Sequence, residues 1–399
     1  MERMRVDDVD WRQGRAFSLA YSAGPDVLRL AEEAYARFSG ENALNTDAFP
    51  SLRVMQREVV SAVADWLAAP AGAAGFMTSG GTESLVLAVK AARERGRRMG
   101  IDRPNAVLPA SAHAAFEKGC QYFDVESRRV QVGDDFRADV EALAAAIDDR
   151  TVLVVGSAPQ YPQGVIDPVA EIAALAAERD INCHVDACMG GVTLHYLERL
   201  GEQVPPWNFE VPGVTSISVD LHKYGYTAKG AGVIIHRDSQ RRADQTFVTD
   251  NWLGGLYGSS GILGTKSGGS IAAAWAVMHH LGNEGYERVT ATARRACLQL
   301  AEAISSTPEL ELRAWPDSTL LAFGASRTSD IDVMAVADGL WRRGWYVDRQ
   351  SPPPSLHCTV NAIHDGRIDD FVDDLRACVA AARGSHTTGD GAGAYGTID

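Results

Sequence analysis

Leu52, Met55, Val59, Val63 and Trp66 recur three or four residues apart, so a single helix carries them on one apolar stripe, and Pro70 ends it. A second helix is predicted over 25–38, within a first fifty residues that are otherwise irregular; 41–50 (ENALNTDAFP) is polar and turn-like. From residue 74 the texture changes. Short apolar runs occupy 74–77, 106–109, 151–155, 181–185, 214–219 and 232–236. Several are apolar without strict alternation, as strands covered on both faces are. Between most of them lie stretches that predict helices, at 84–98, 138–147 and 169–179. Strand and helix alternating in this way predict βαβ units and a mostly parallel sheet. A long helix is expected over 270–281, resuming over 286–305, followed by strands at 319–323, 345–348 and 356–361 and helices at 331–343 and 368–382. The expected organisation is an α/β protein with an N-terminal segment and helix (1–70), a large domain (71–300) and a small C-terminal α+β domain with its tail (301–399). By composition the Gly-, Ser- and Thr-rich tail from 384 is disordered.

Ligands of open parallel sheets bind outside the carboxyl ends of the strands. The polar residues of this chain concentrate there. Run 74–77 leads into TSGGTES (78–84), run 106–109 into Ser111 and His113, run 151–155 into Gly156 and Ser157, run 181–185 into Asp186, and run 214–219 into Asp220, His222 and Lys223. The glycines of 79–84 and the helix after them suit a phosphate, though a capped glycine turn has the same composition. Asp186 reads either as a loop-fixing carboxylate or as the partner of a protonated heterocycle. Lys223 reads either as a solvated lysine or as a Schiff-base amine. His113 alone reads as a structural histidine. Cys183, His184, Cys188 and His195 form no metal spacing, because neighbours on a strand face opposite ways and neither CxxC nor HExxH occurs.

Composition narrows the function. Across 399 residues, 46% are hydrophobic and 23% charged, an ordinary globular balance. A net charge of −14 argues against a nucleic-acid-binding face but permits an anionic small molecule held by a local lysine cluster. Six cysteines at no paired spacing point to a reducing compartment. The charged start MERMRVDDVDWRQGR is no signal peptide, and no run reaches the ~18 apolar residues of a membrane span, so a soluble cytoplasmic protein is expected.

Together these motifs resemble pyridoxal-phosphate enzymes of fold type I and, in detail, the sphingosine-1-phosphate lyase branch of the group II decarboxylase superfamily. The resemblance is carried by TSGGTES (78–84), AHAAFEK (112–118), GSAP (156–159), HVDACMGG (184–191) and VTSISVDLHKYGYTAKG (214–230), and extends to 319–360 and to GDGAGAYG (389–396) in the tail. It implies that Lys223 holds the cofactor as a Schiff base and that Asp186 pairs with the pyridinium nitrogen. It implies that His113 stacks on one ring face, with Cys188 facing the other. Gly81, Thr82 and His222 would hold the phosphate, with Ser218 nearby, and Ser157 would join the cofactor site. Lys229 matches a second lysine near the substrate. Tyr257, in GGLYGSS (254–260), falls in a loop often shared across a homodimer. Two positions depart from the family: Asn45 stands where a histidine is usual, and Lys266 where an arginine is.

The implied reaction is retro-aldol cleavage of an anionic β-hydroxy amine to an aldehyde and a small amine, with Lys229, Tyr257 and a cofactor phosphate oxygen all candidate bases. The two departures point to a small or medium substrate rather than a long-chain sphingoid phosphate. An α-decarboxylase on the same scaffold is the alternative, and a catalytically silent homologue a further one.

Overall fold

Strands β1 (Ala74–Thr78), β2 (Asn105–Pro109), β3 (Glu126–Val130), β4 (Thr151–Ser157), β5 (Asn182–Asp186), β6 (Val214–Asp220) and β7 (Gly232–His236) form one sheet in the order β1-β7-β6-β5-β4-β2-β3. They come from a computed structural model that describes residues 2–383; the tail from 384, with its expected disorder and its 389–396 motif, lies outside the described residues. Strands β6, β5, β4, β2 and β3 pair in parallel, and β7 runs antiparallel to both β1 and β6. Strand β1 therefore points the same way as β6, and the carboxyl ends of β1, β2, β4, β5 and β6 share one edge of the sheet. The expected mostly parallel α/β sheet is what forms. Strands β2, β4, β5, β6 and β7 are buried at every position, which explains the lack of strict alternation in these runs, while β5 and β6 also bury polar side chains. Edge strand β3 (ESRRV) is only partly buried and polar, and hydropathy gave no sign of it.

Helices α1 (Pro25–Arg37) and α2 (Pro50–Trp66) precede the sheet; α2 buries Leu52, Val59, Val63 and Trp66 of its predicted stripe. Helices α3 (Gly81–Arg98), α4 (Ala115–Phe123), α5 (Val140–Ala146), α6 (Val169–Glu178), α7 (Gly190–Arg199) and α8 (Ser239–Gln245) lie between strands. A hairpin of β8 (Phe247–Thr249) and β9 (Tyr257–Ser259) follows, and then the long α9 (Gly268–Ser305). Gly282 (φ 53°, ψ −168°) breaks α9 in the gap that the sequence pattern left between 281 and 286.

The chain divides into two compact units, and the sheet belongs to the one made of Pro25–Tyr161 and Ile166–Gly285. The other gathers the N-terminal segment to Gly24, Pro162–Val165 and the chain from Tyr286. Its strands β10 (Leu310–Leu312), β11 (Leu320–Ala325), β12 (Asp348–Gln350) and β13 (Ser355–Thr359) form an antiparallel sheet in the order β10-β11-β13-β12, accompanied by α10 (Val333–Arg342) and α11 (Ile368–Ala382). Phe17, Leu300, Phe323, Trp345, Leu356 and Phe371 share its core. Phe17 reaches that core through backbone bonds, its N–H donating to Tyr346 O at 2.9 Å and its carbonyl accepting from Thr359 N at 2.6 Å.

Candidate active site

Strand β6 ends at Asp220 and the chain turns at once, with Lys223 N donating to Asp220 O at 3.2 Å. That turn returns the Lys223 amine to its own strand end, where Nζ lies 3.0 Å from Asp220 Oδ2. The Asp220 side chain is 2% exposed, and its second oxygen, Oδ1, makes no hydrogen bond. Burial by itself raises a carboxyl pKa, but the charges of Lys223, His222 and His113 and the bond from Lys223 prevail and hold Asp220 below the usual range. His222 Nδ1 donates to Ala231 O at 2.9 Å, which leaves Nε2 3.8 Å from Asp220 Oδ2. Lys229 Nζ donates to the carbonyl of His222 at 3.4 Å. Lys229 is exposed as a whole residue, yet the protein packed round its amine and the positive charge of Lys223 lower its pKa to about 8, against the opposing pull of Asp220.

Asp186 closes β5, in register with Ser157 on β4 and Ser218 on β6. Its Oδ1 accepts from Cys188 N at 3.0 Å and from Ser218 Oγ at 3.4 Å. Behind Ser218 stands His184, fully buried, with Nε2 3.2 Å from Ser218 Oγ and Nδ1 2.8 Å from Ser216 Oγ. One proton arrangement satisfies every partner: Ser216 donates to Nδ1, Nε2–H donates to Ser218, and Ser218 donates to Asp186. Burial lowers the His184 pKa to about 4, so the ring is neutral as this arrangement requires. Cys188 Sγ also donates to Ser218, at 3.3 Å. Ser218, expected near the phosphate, is thus tied into the Asp186 network. His195 packs against Trp66 and Tyr196. Among the described residues no group of three or more His, Cys, Asp or Glu side chains is placed to hold a metal ion.

The glycine turn after β1 presses onto these groups. Gly80 has φ 139° and ψ −179°, a conformation open to glycine, and a Cβ there would lie 2.7 Å from His222 Cε1. A Cβ on Gly81 would lie 2.7 Å from Asp220 Oδ2 and 2.9 Å from Cys188 Sγ. Helix α3 begins at Gly81, so its positive end and first amides face this edge, with Thr82 exposed beside them. Glu83 is buried and bridges two segments: Oε2 accepts from Ser79 N at 2.6 Å and Oε1 from Ile262 N at 2.7 Å.

After β2, His113 Nδ1 accepts from Ala115 N at 3.0 Å. Burial lowers its pKa, while Asp186 opposes this and Lys223 adds to it. Lys229 and Lys266 line one cavity of about 180 Å³ together with Ser79, Thr265 and Ser270. The Lys266 amine stands 4.2 Å over the Phe76 ring. Its backbone N–H donates to Asn42 Oδ1 at 3.2 Å and its carbonyl accepts from Ala43 N at 2.8 Å. The segments carrying the two departures from the family pattern are therefore neighbours, although Asn45 itself is exposed and bonds Asp47 N at 2.9 Å. Tyr257 lies on the β8–β9 hairpin, where its ring meets Phe247 and Trp252.

The residues at this edge match the groups of pyridoxal phosphate: an amine for its aldehyde, a carboxylate for its ring nitrogen, an imidazole for its ring face, and a helix start for its phosphate. The buried Ser111 Oγ, Ser157 Oγ and Asp220 Oδ1, all without partners, mark the same edge as built for a polar guest. Fold and site together define a pyridoxal-phosphate enzyme of fold type I. The family model for the pyridoxal-dependent decarboxylase conserved domain matches residues 6–326. The sphingosine-1-phosphate lyase of Arabidopsis thaliana is 39% identical over 392 residues, covering 96% of this chain and 71% of the plant protein. The solved sphingosine-1-phosphate lyase of Burkholderia pseudomallei superposes with a TM-score of 0.90 at 36% identity, over 96% of this chain and 89% of that one. Glutamate decarboxylase of Lactobacillus brevis shares the fold, with a TM-score of 0.85 at 23% identity, over 97% of this chain and 92% of that one. The chain belongs to the pyridoxal-dependent decarboxylase family, in its sphingosine-1-phosphate lyase branch, and is a pyridoxal-phosphate-dependent carbon–carbon lyase.

Three residues of the site received no role from sequence: Asp220, Glu83 and His184. Glu83 had a partial signal, since a glutamate at the third helical position often reaches back to the chain before the helix. His184 had none, because its partners are set by pairing between strands; Asp220, three residues before Lys223 at a strand end, reads equally as a cap.

Proposed function

We propose that this lyase cleaves the Cα–Cβ bond of a phosphorylated amino alcohol, releasing an aldehyde and a smaller amine, with Lys223 carrying the cofactor and Lys229 acting as the base. Bound there, pyridoxal phosphate supplies an electron sink for the pair left by the broken bond. The observation that carries the reading is the pair of lysines at one strand end, Lys223 against Asp220 and Lys229 lining the adjoining cavity. Asp186, fixed by Cys188 N and Ser218, holds a pyridine nitrogen protonated. His113 supplies one stacking face, and Gly81, Thr82 and His222 receive the phosphate, with Ser157 beside Asp186. Lys229, with its lowered pKa, takes the proton of the β-hydroxyl. Lys266, lining the same cavity, meets the substrate's anionic group as a point charge. The relatives named above act, by their names, on sphingosine 1-phosphate, itself a phosphorylated amino alcohol.

The working form is a homodimer, an inference supported by the apolar exposure of the β8–β9 hairpin and the loop after it. The compartment is the cytoplasm, an inference supported by six free cysteines, all buried. Among the described residues no helix is long and apolar enough to cross a membrane.

The test is to incubate the purified protein with short- and long-chain phosphorylated amino alcohols and with amino acids, measuring aldehyde and carbon dioxide separately. Borohydride reduction and peptide mapping then locate the cofactor. Aldehyde from a phosphorylated amino alcohol and label on Lys223 are expected. Carbon dioxide from amino acids without aldehyde would transfer the chain to the decarboxylases, and label on Lys229 would reverse the roles of the two lysines.

A further inference from the structure

Asp220 has no part in the roles assigned above, yet it is in contact with the amine on which they depend. Nζ of Lys223 lies 3.0 Å from its Oδ2, and its Oδ1 is buried without a hydrogen bond. A buried carboxylate is costly unless paired and bonded, so one with a spare oxygen invites a reason. Asp167, 1% exposed, offers the contrast: one of its oxygens accepts from Ala138 N at 2.9 Å and the other from Ser157 N at 2.7 Å, which is how a carboxylate that only pins a loop is satisfied. Asp220 does otherwise. It spends one oxygen on the lysine, and the chain keeps side chains away from both: a Cβ on Gly81 would lie 2.7 Å from Oδ2, and one on Gly232 would lie 2.9 Å from Oδ1.

We propose that Asp220 is a positioning residue for Lys223, whose carboxylate fixes the amine at the end of β6 and holds a proton on its nitrogen. The proposal rests on the reading that Lys223 carries the cofactor. The charged and titratable groups that face Asp220 are Lys223, His222 and His113, with Lys229 and Cys188 also within its field. Two of them are lysines, and Asp220 is the carboxylate that offsets both. An anion at this distance favours the protonated form of whatever the Lys223 nitrogen becomes. It equally favours the ammonium form of the lysine once substrate has displaced it.

The experiment compares wild-type holoenzyme with Asp220→Asn, following the visible absorbance of the bound cofactor against pH, together with kcat, KM and thermal melting. The amide keeps the shape and removes the charge. The expected result is a downward move of the absorbance midpoint by about one unit or more, with kcat reduced at least tenfold and KM little changed. An unmoved midpoint with near-normal kcat would overturn the proposal, as would a lowered melting temperature with an unmoved midpoint, which is what a purely structural carboxylate gives. If Asp220→Asn does not fold, Asp220→Ser is read in the same way. Borohydride label away from Lys223 in the wild type would instead defeat the underlying assignment, and that outcome is distinct from any result with the variants.

Discussion

Lys229, the base proposed above, combines an exposed side chain with an amine whose pKa falls to about 8, and on that proposal it sets the pH behaviour of the reaction. A base works in its neutral form, which grows as pH rises through this value. The expected profile of kcat/KM therefore rises through about pH 8. Lys229→Met should abolish that rising limb and lower kcat by about 10²–10⁴-fold, the usual contribution of general base catalysis. Lys229→Arg, which keeps the charge without a usable lone pair, should not restore it. A pH–rate profile carrying the same limb in Lys229→Met would remove Lys229 as the base. At this scale the sequence already displayed Lys223, Asp186 and His113, because each follows an apolar strand. Asp220 was visible too, but a carboxylate at a strand end reads equally as a cap, and only its 3.0 Å approach to Lys223 sets it apart.

Between β1 and α3, Thr78 and Ser84 bond each other and Gly80, and Glu83 accepts backbone amides from two segments, tying the turn to Ile262. Glutamine offers one acceptor in place of two, so Glu83→Gln leaves an amide facing an amide. A buried donor without a partner costs about 1–3 kcal/mol. We expect a melting temperature lower by several degrees and a weaker hold on pyridoxal phosphate, measured by cofactor loss on dialysis, because the same turn is proposed to receive the phosphate. A variant that melts and retains cofactor like the wild type would show that Glu83 does not hold the turn. The elements that hydropathy did not reveal have physical reasons. Strand β3 is polar because it is an edge, and α7 opens with two glycines that read as a turn but allow close packing: a Cβ on Gly190 would lie 2.0 Å from Ala158 O, and one on Gly191 would lie 2.4 Å from Val219 Cγ2.

At the scale of the whole molecule, exposed large apolar side chains among the described residues gather on the β8–β9 hairpin with the loop after it. Phe247, Val248, Trp252, Leu253, Leu256 and Ile262 are each more than half exposed, Leu253 fully. Exposed apolar patches mark protein, membrane or ligand contact surfaces, and in the homodimer proposed above a second copy of this chain would bring Tyr257 to an interface. Light scattering should give twice the 42.8 kDa chain mass. Leu253→Asp combined with Leu256→Asp should shift the protein to monomer and cut turnover sharply while leaving each chain folded. A wild-type monomer with full activity would refute the dimer.

The alternation of apolar runs and helical stretches was enough to determine the mostly parallel sheet, since burial on both faces leaves a strand little choice of composition. The chain likewise showed which edge gathers the polar groups, because polar residues just past buried strands have one edge to occupy. It marked the break in α9 through a gap in helical spacing at Gly282. What tertiary structure alone decided is which polar group serves which. Asp186 and Ser218 become partners because β5 and β6 pair in the register that sets them opposite. His184 becomes their support through the same pairing, and Gly81 is drawn against Asp220 and Cys188 because β1 reaches the edge beside β7. Contacts between residues more than thirty positions apart follow from strand register and order, and a local pattern of hydropathy carries no information about either.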